Sequence, residues 1–184
     1  MPDTLTLLNS SAFPAEFHVL QGGVPIARIA VGPGGQARMP WALDAPYHAR
    51  ATARRDGIRY TSNALTLREP WDAARTEFLF LRGVHYFQLT RATVSRLEPR
   101  LLVENTWRAP VLVHLWKEGS GVSATLEVGA HSTLSFSTRR EWCLHAVIHG
   151  ITTGAVKVQD PNARVSAMAG RGEDDFRLLI LGRG

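Results

Sequence analysis

A single cysteine, Cys143, stands in the 184 residues of this chain, so no internal disulfide can form. A chain without such staples is expected in a reducing cytoplasm. No apolar run approaches the ~18 residues of a membrane helix, and the opening MPDTLTLLNSS lacks the basic start and unbroken apolar stretch of a secretory signal. The chain is therefore expected to be cytoplasmic as synthesised and to have no transmembrane segment, with export by a signal-less route as the alternative. Lysine occurs only at Lys117 and Lys157, so the net charge of +5 is almost wholly arginine. Residues 1–98 hold 11 basic and 8 acidic side chains (11 − 8 = +3), and residues 99–184 hold 10 and 8 (10 − 8 = +2). So even an excess argues against a nucleic-acid tail. Also missing are a Gly-Lys-Ser/Thr phosphate loop, a GxSxG elbow, an HExxH pair and the paired cysteines of a zinc site. The reading is of a non-enzyme with no metal and no cofactor.

What the chain does contain is an internal echo. Thr61 to Pro70, TSNALTLREP, returns at Thr152 to Pro161 as TTGAVKVQDP. Asn9 and Pro14 recur as Asn105 and Pro110, Phe17-His18-Val19 as Val113-His114-Leu115, and Phe87-Gln88-Leu89 as Phe176-Arg177-Leu178. The offset drifts from 96 residues (105 − 9) to 89 (176 − 87), in stretches rich in glycine, proline and charge where loops tolerate length changes. Two domains are expected, residues 1–98 and residues 99–184, each closing around its own core.

Short β-type runs, broken by turn chemistry every eight to twelve residues, predict an all-β chain with two tandem pseudo-symmetric antiparallel β-sandwich units. Ala15, Phe17 and Val19 are placed on one side of a strand, with Glu16, His18 and Leu20 on the other. Ile58 to Leu67 and Ile151 to Val158 read as single returning strands. Asp72 to Arg75 and Pro161 to Arg164 read as single turns at most, and residues 92–100 as the linker. The closing FRLLILG is apolar on both faces and is expected to be covered on both sides or paired at the domain boundary.

The order of an Asn turn, a Pro-started strand, a Gly turn, a strand ending Val31-Gly32-Pro33-Gly34, and a loop with Ala45-Pro46-Tyr47 before an alternating strand resembles bacterial immunoglobulin-like repeats. The likeness covers Leu5 to Leu67 and, less fully, Leu101 to Val158, where Ala130-His131 stands in place of Pro33-Gly34. It implies a fold and no particular activity.

Several residues are candidates for binding. His18 and His114 occupy the same strand position in both copies and could line related pockets or one cleft, or be structural. Trp142 to His149, WCLHAVIH, carries His145 and His149; as a strand these lie about 13 Å apart at roughly 3.3 Å per residue, too far for one metal. Cys143 and His145 share a face, a weak pointer to a ligand pair. Arg50 and Arg54, with His48, Arg55 and Arg59, form a basic stripe that could be an anion-recognising surface for an acidic protein, phosphate or sulfated sugar, or be a solvated face. No aromatics interleave with it, so specific nucleic-acid binding is not expected. Trp71 and Trp107 sit in loops and could anchor a sugar or a protein. The function expected is a non-catalytic binding or assembly module mediating protein–protein interaction or self-association. The alternative is a carbohydrate- or membrane-surface-binding protein of lectin or cytolysin type, and third an enzyme whose site the sequence does not reveal.

Overall fold

Alternation at period two passes directly into strands in a computed structural model that describes residues 4–40, 45–68, 72–93, 100–119, 122–137, 141–172 and 175–183. In chain order the strands of the first half are β1 (Thr4–Asn9), β2 (Ala15–Gln21), β3 (Val24–Val31), β4 (Gln36–Pro40), β5 (Tyr47–Arg55), β6 (Ile58–Thr61), β7 (Leu65–Leu67), β8 (Asp72–Leu81) and β9 (Val84–Thr93). Those of the second are β10 (Arg100–Asn105), β11 (Val111–Lys117), β12 (Ser123–Val128), β13 (Thr133–Ser137), β14 (Trp142–Ile148), β15 (Ile151–Thr152), β16 (Val156–Val158), β17 (Ala163–Ala169) and β18 (Phe176–Arg183). The chain is all-β: no helix occurs among the described residues, and so none long and apolar enough to cross a membrane. In β2, Ala15, Phe17, Val19 and Gln21 are buried while Glu16, His18 and Leu20 face outward half-buried, as the pleat requires.

The chain folds as two compact units, one containing β1–β4 and β14–β18, the other β5–β13. In the first, one sheet runs β18-β17-β1-β4 and the other β15-β14-β2-β3, with β16 beside β14. In the second, one sheet runs β9-β8-β10-β13 and the other β6-β5-β11-β12, with β7 beside β5. The two orders match strand for strand, including one parallel pair in each, β1 with β17 and β10 with β8. The boundary expected between residues 98 and 99 lies outside the described residues. Neither unit is residues 1–98 or 99–184, because β2 pairs with β14, β5 with β11, and both parallel pairs join one half of the chain to the other.

Each unit buries its own apolar interior. In the first, Phe17, Leu144, Ile148, Leu5 and Leu7 are fully buried, and each such side chain contributes about 1.5–3 kcal/mol of transfer free energy. In the second, Tyr47 of one sheet meets Phe136 of the other edge-on, with ring centroids 5.9 Å apart, and the alanines Ala49, Ala51 and Ala53 are buried as their spacing predicts.

Several expectations are corrected. Ile58 to Leu67 is two strands, β6 and β7, and Ile151 to Val158 is likewise β15 and β16. The breaks occur where a side chain takes over the ladder. Ser62 Oγ accepts from the Ala51 amide at 2.9 Å and Thr153 Oγ1 from the Ala146 amide at 3.0 Å. Asp72 to Arg75 begins β8, and Ala163 and Arg164 begin β17, because the parallel pairing with β10 and β1 supplies hydrogen bonds that local sequence does not reveal. The closing apolar run forms β18, at the end of its sheet order, and Leu179, Ile180 and Leu181 are exposed rather than covered.

Candidate functional site

Because β2 and β14 are antiparallel neighbours, His18 falls directly opposite His145. Their rings stack with centroids 4.8 Å apart and planes 13° from parallel. His18 Nε2 donates to Glu16 Oε1 at 2.8 Å, and the same oxygen receives Arg28 Nε at 2.7 Å. The hydrogen bond from Arg28 holds the Glu16 carboxyl below its ordinary value, while burial and the neighbouring His18 push His145 below the usual imidazole range. Stacked rings do not converge their nitrogens on one ion, and no group of three metal-ligating side chains occurs among the described residues. Cys143 lies on the same outer side, opposite Leu20 and Lys157.

His149 is separated from this pair. It sits at φ 50° in the turn before Gly150, and its ring stacks on Phe13 at 4.5 Å.

In the second unit the matching strand position is His114, opposite Arg50 of β5, with Nδ1 hydrogen-bonded to Thr125 Oγ1 at 2.9 Å. The outward side of β5 carries His48, Arg50, Thr52 and Arg54. Arg54 stands opposite Arg59 of β6, and Thr52 opposite Leu112 of β11. Thr52, Arg54, Arg59, Val111, Leu112 and Glu127 line a cavity of about 320 Å³. Thr52 is 7% exposed, and its hydroxyl has no hydrogen-bond partner. No carboxylate pairs with Arg50, Arg54 or Arg59 among the described residues. Arg54 and Arg59 are direct cross-strand partners, whereas Arg50 shares their side of the sheet four residues along β5, outside the cavity lining. Arg55 does not share it: the pleat turns it to the other side of β5, where its guanidinium lies 5.3 Å from the Trp107 ring centroid and 5.9 Å from that of Phe78.

Arg55 marks one end of the second unit. Its Nη1 donates to His85 Nδ1 at 3.1 Å, tying β5 to the β8–β9 hairpin. Trp107 packs on Phe78 with centroids 4.4 Å apart and carries a second guanidinium, Arg108, at 5.3 Å. The adjoining hairpin tips expose Ile58, Phe80, Leu81, Val84 and Tyr86. Trp71, the other loop candidate, lies outside the described residues.

Sequence reading missed three features. The first is the His48 ring stacked on Trp116 at 5.3 Å, visible only once β5 and β11 are paired. The second is Thr52, a polar residue on a partly basic side with nothing local to mark it as unsatisfied. The third is the apolar hairpin tip; alternation does place Leu79, Leu81, Val84 and Tyr86 on one side, but only the structure leaves that side uncovered near the turn. No protein-family model matches the sequence, and no curated protein matches it.

Proposed function

We propose that the protein is a non-catalytic binding module, a duplicated immunoglobulin-like β-sandwich whose two copies are combined crosswise, and that it works through protein–protein association, self-assembly included. One observation supports this reading above the others. At one end of the second unit Ile58, Phe80, Leu81, Val84 and Tyr86 are between 50% and 63% exposed. Exposed apolar side chains gathered at one end of a fold mark interaction sites more often than singly scattered ones do. The register puts Phe80 on one side of the hairpin and Leu81, Val84 and Tyr86 on the other, so the tip offers apolar area on both sides. Light scattering over a range of concentrations tests it, combined with a photo-crosslinking residue at position 81. Association that Leu81→Ser with Val84→Ser abolishes is expected. A chain that stays monomeric and yields no protein adduct from position 81 refutes the reading.

A second reading, attachment to an anionic membrane surface, is favoured by the cations beside the same tip. Arg55 and Arg108 lie on Trp107, and Arg82 stands at the hairpin turn. Basic and aromatic side chains around an apolar tip suit the lipid interface. Co-sedimentation with phosphatidylserine vesicles, lost in Leu81→Ser with Val84→Ser, distinguishes it from protein association.

A further inference from the structure

We propose that the cavity on the outer side of β5, β6 and β11 is a binding site for an oxyanion, a carboxylate or phosphate group whose ligand rests its carbon portion on the exposed Leu112. The site lies apart from the hairpin end and does not rest on the function proposed above.

Three observations meet there. Arg54 and Arg59 are direct cross-strand partners, and Arg50 follows two pairs further along the same side. Like charges placed opposite one another in a sheet destabilise it. No carboxylate of the described residues forms an ion pair with them. An oxyanion between the two guanidinium groups reverses the sign of that interaction and accepts hydrogen bonds from both. The second observation is Thr52, whose buried hydroxyl lacks a partner at the same cavity. A buried donor left unsatisfied is costly, and a turn about χ1 would let the hydroxyl donate to a ligand oxygen.

The third observation is the contrast with the first unit. There the strand position of Thr52 is held by Val147, opposite Glu16, and that of Arg50 by His145, opposite His18. The exposed cations on that side, Arg28 and Lys157, are already paired with Glu16 and Glu141. The same sheet order therefore occurs once with its charge closed on itself and once with its charge open. Glu127 on the wall of the cavity limits what can enter. Its carboxylate disfavours polyanions and suits a ligand with one anionic group and a neutral or cationic remainder.

Nuclear magnetic resonance titration of the full chain decides the matter, with inorganic phosphate, glutarate and a capped hexapeptide carrying one glutamate as separate probes. Saturating shifts are expected at the amides of Thr52, Arg54, Arg59 and Leu112 with at least one probe. The free ions distinguish a small-molecule ligand from the acidic side chain of a protein. Arg54→Gln with Arg59→Gln should weaken binding by roughly tenfold or more, as the loss of a charge-assisted contact implies. Thr52→Val should weaken it severalfold with the melting temperature preserved, and Glu127→Gln should tighten phosphate binding. Shifts that fail to saturate for every probe, or that survive the double arginine substitution, overturn the proposal.

Discussion

His18 and His145 stack 4.8 Å apart on adjacent antiparallel strands, one residue from each half of the chain. The charged or titratable groups around them are Glu16 and Arg28 on the β2 and β3 side, with Cys143 and the Lys157–Glu141 pair on the β14 and β16 side. Burial and His18 set the pKa of His145 below its ordinary 6.5. The unfolded chain therefore binds more protons at this residue, and stability rises with pH through the window between the lowered value and 6.5. Urea melts should show stability falling as pH drops below about 6.5, with the slope reduced in His145→Gln. An identical slope in that variant would remove His145 as the cause.

Asn9 and Asn105 perform one task in two places. Asn9 Nδ2 donates to the carbonyls of Phe13 and Val31, and its Oδ1 accepts from the Ser11 amide. Asn105 Nδ2 donates to the carbonyls of Ala109, Val128 and Gly129, and its Oδ1 accepts from the Trp107 amide. Both residues are 1% exposed. Asn9→Ala and Asn105→Ala should each destabilise by about 2–4 kcal/mol, read from urea midpoints, because several backbone groups lose their partner together.

Ser62→Ala and Thr153→Val remove the side-chain acceptors of the Ala51 and Ala146 amides. Each should cost about 1–3 kcal/mol, and the amide exposed should show faster hydrogen exchange than its neighbours in the strand. Equal exchange before and after substitution would mean that the strand closes the gap by itself.

Thr52→Val keeps shape and deletes a hydroxyl without a partner. Chemical denaturation should show stability unchanged or raised by up to about 1 kcal/mol, the opposite sign from most buried polar deletions.

Arg82 adopts φ 50° before Gly83 at φ 80°, the pair of positive angles that a two-residue hairpin turn demands. Arg82→Asn should stabilise the chain by roughly 0.5 kcal/mol, measured by thermal unfolding, because asparagine tolerates that region better than arginine.

Much of this was legible in the chain itself. Alternation around Phe17 and Leu144 identified strands and their buried sides, since a two-residue period is a local property of the backbone. The paired Asn9 and Asn105, and the paired Ser62 and Thr153, stood out as an echo before any role could be given to them. The basic stripe was readable as Arg50, Arg54 and Arg59, yet Arg55 was grouped with it although the pleat turns it away. The β17 strand escaped notice because its partner, β1, is more than 150 residues distant and nothing local in ARVSAMA demands a parallel neighbour.

The sequence alone determined alternating strands such as β2 and β14, which side of each is apolar, and that one pattern of residues occurs twice along the chain, because these follow from nearest-neighbour geometry and the chemistry of turns. Which strands share an interior was left to the tertiary structure. Similar strands present similar edges, so β2 could meet a partner from either half, and only the closing of a complete interior selects β14. That selection creates the stacked histidines, and the pairing of β5 with β11 in the second unit likewise creates the open arginine cavity, whose members come from separate stretches of the chain.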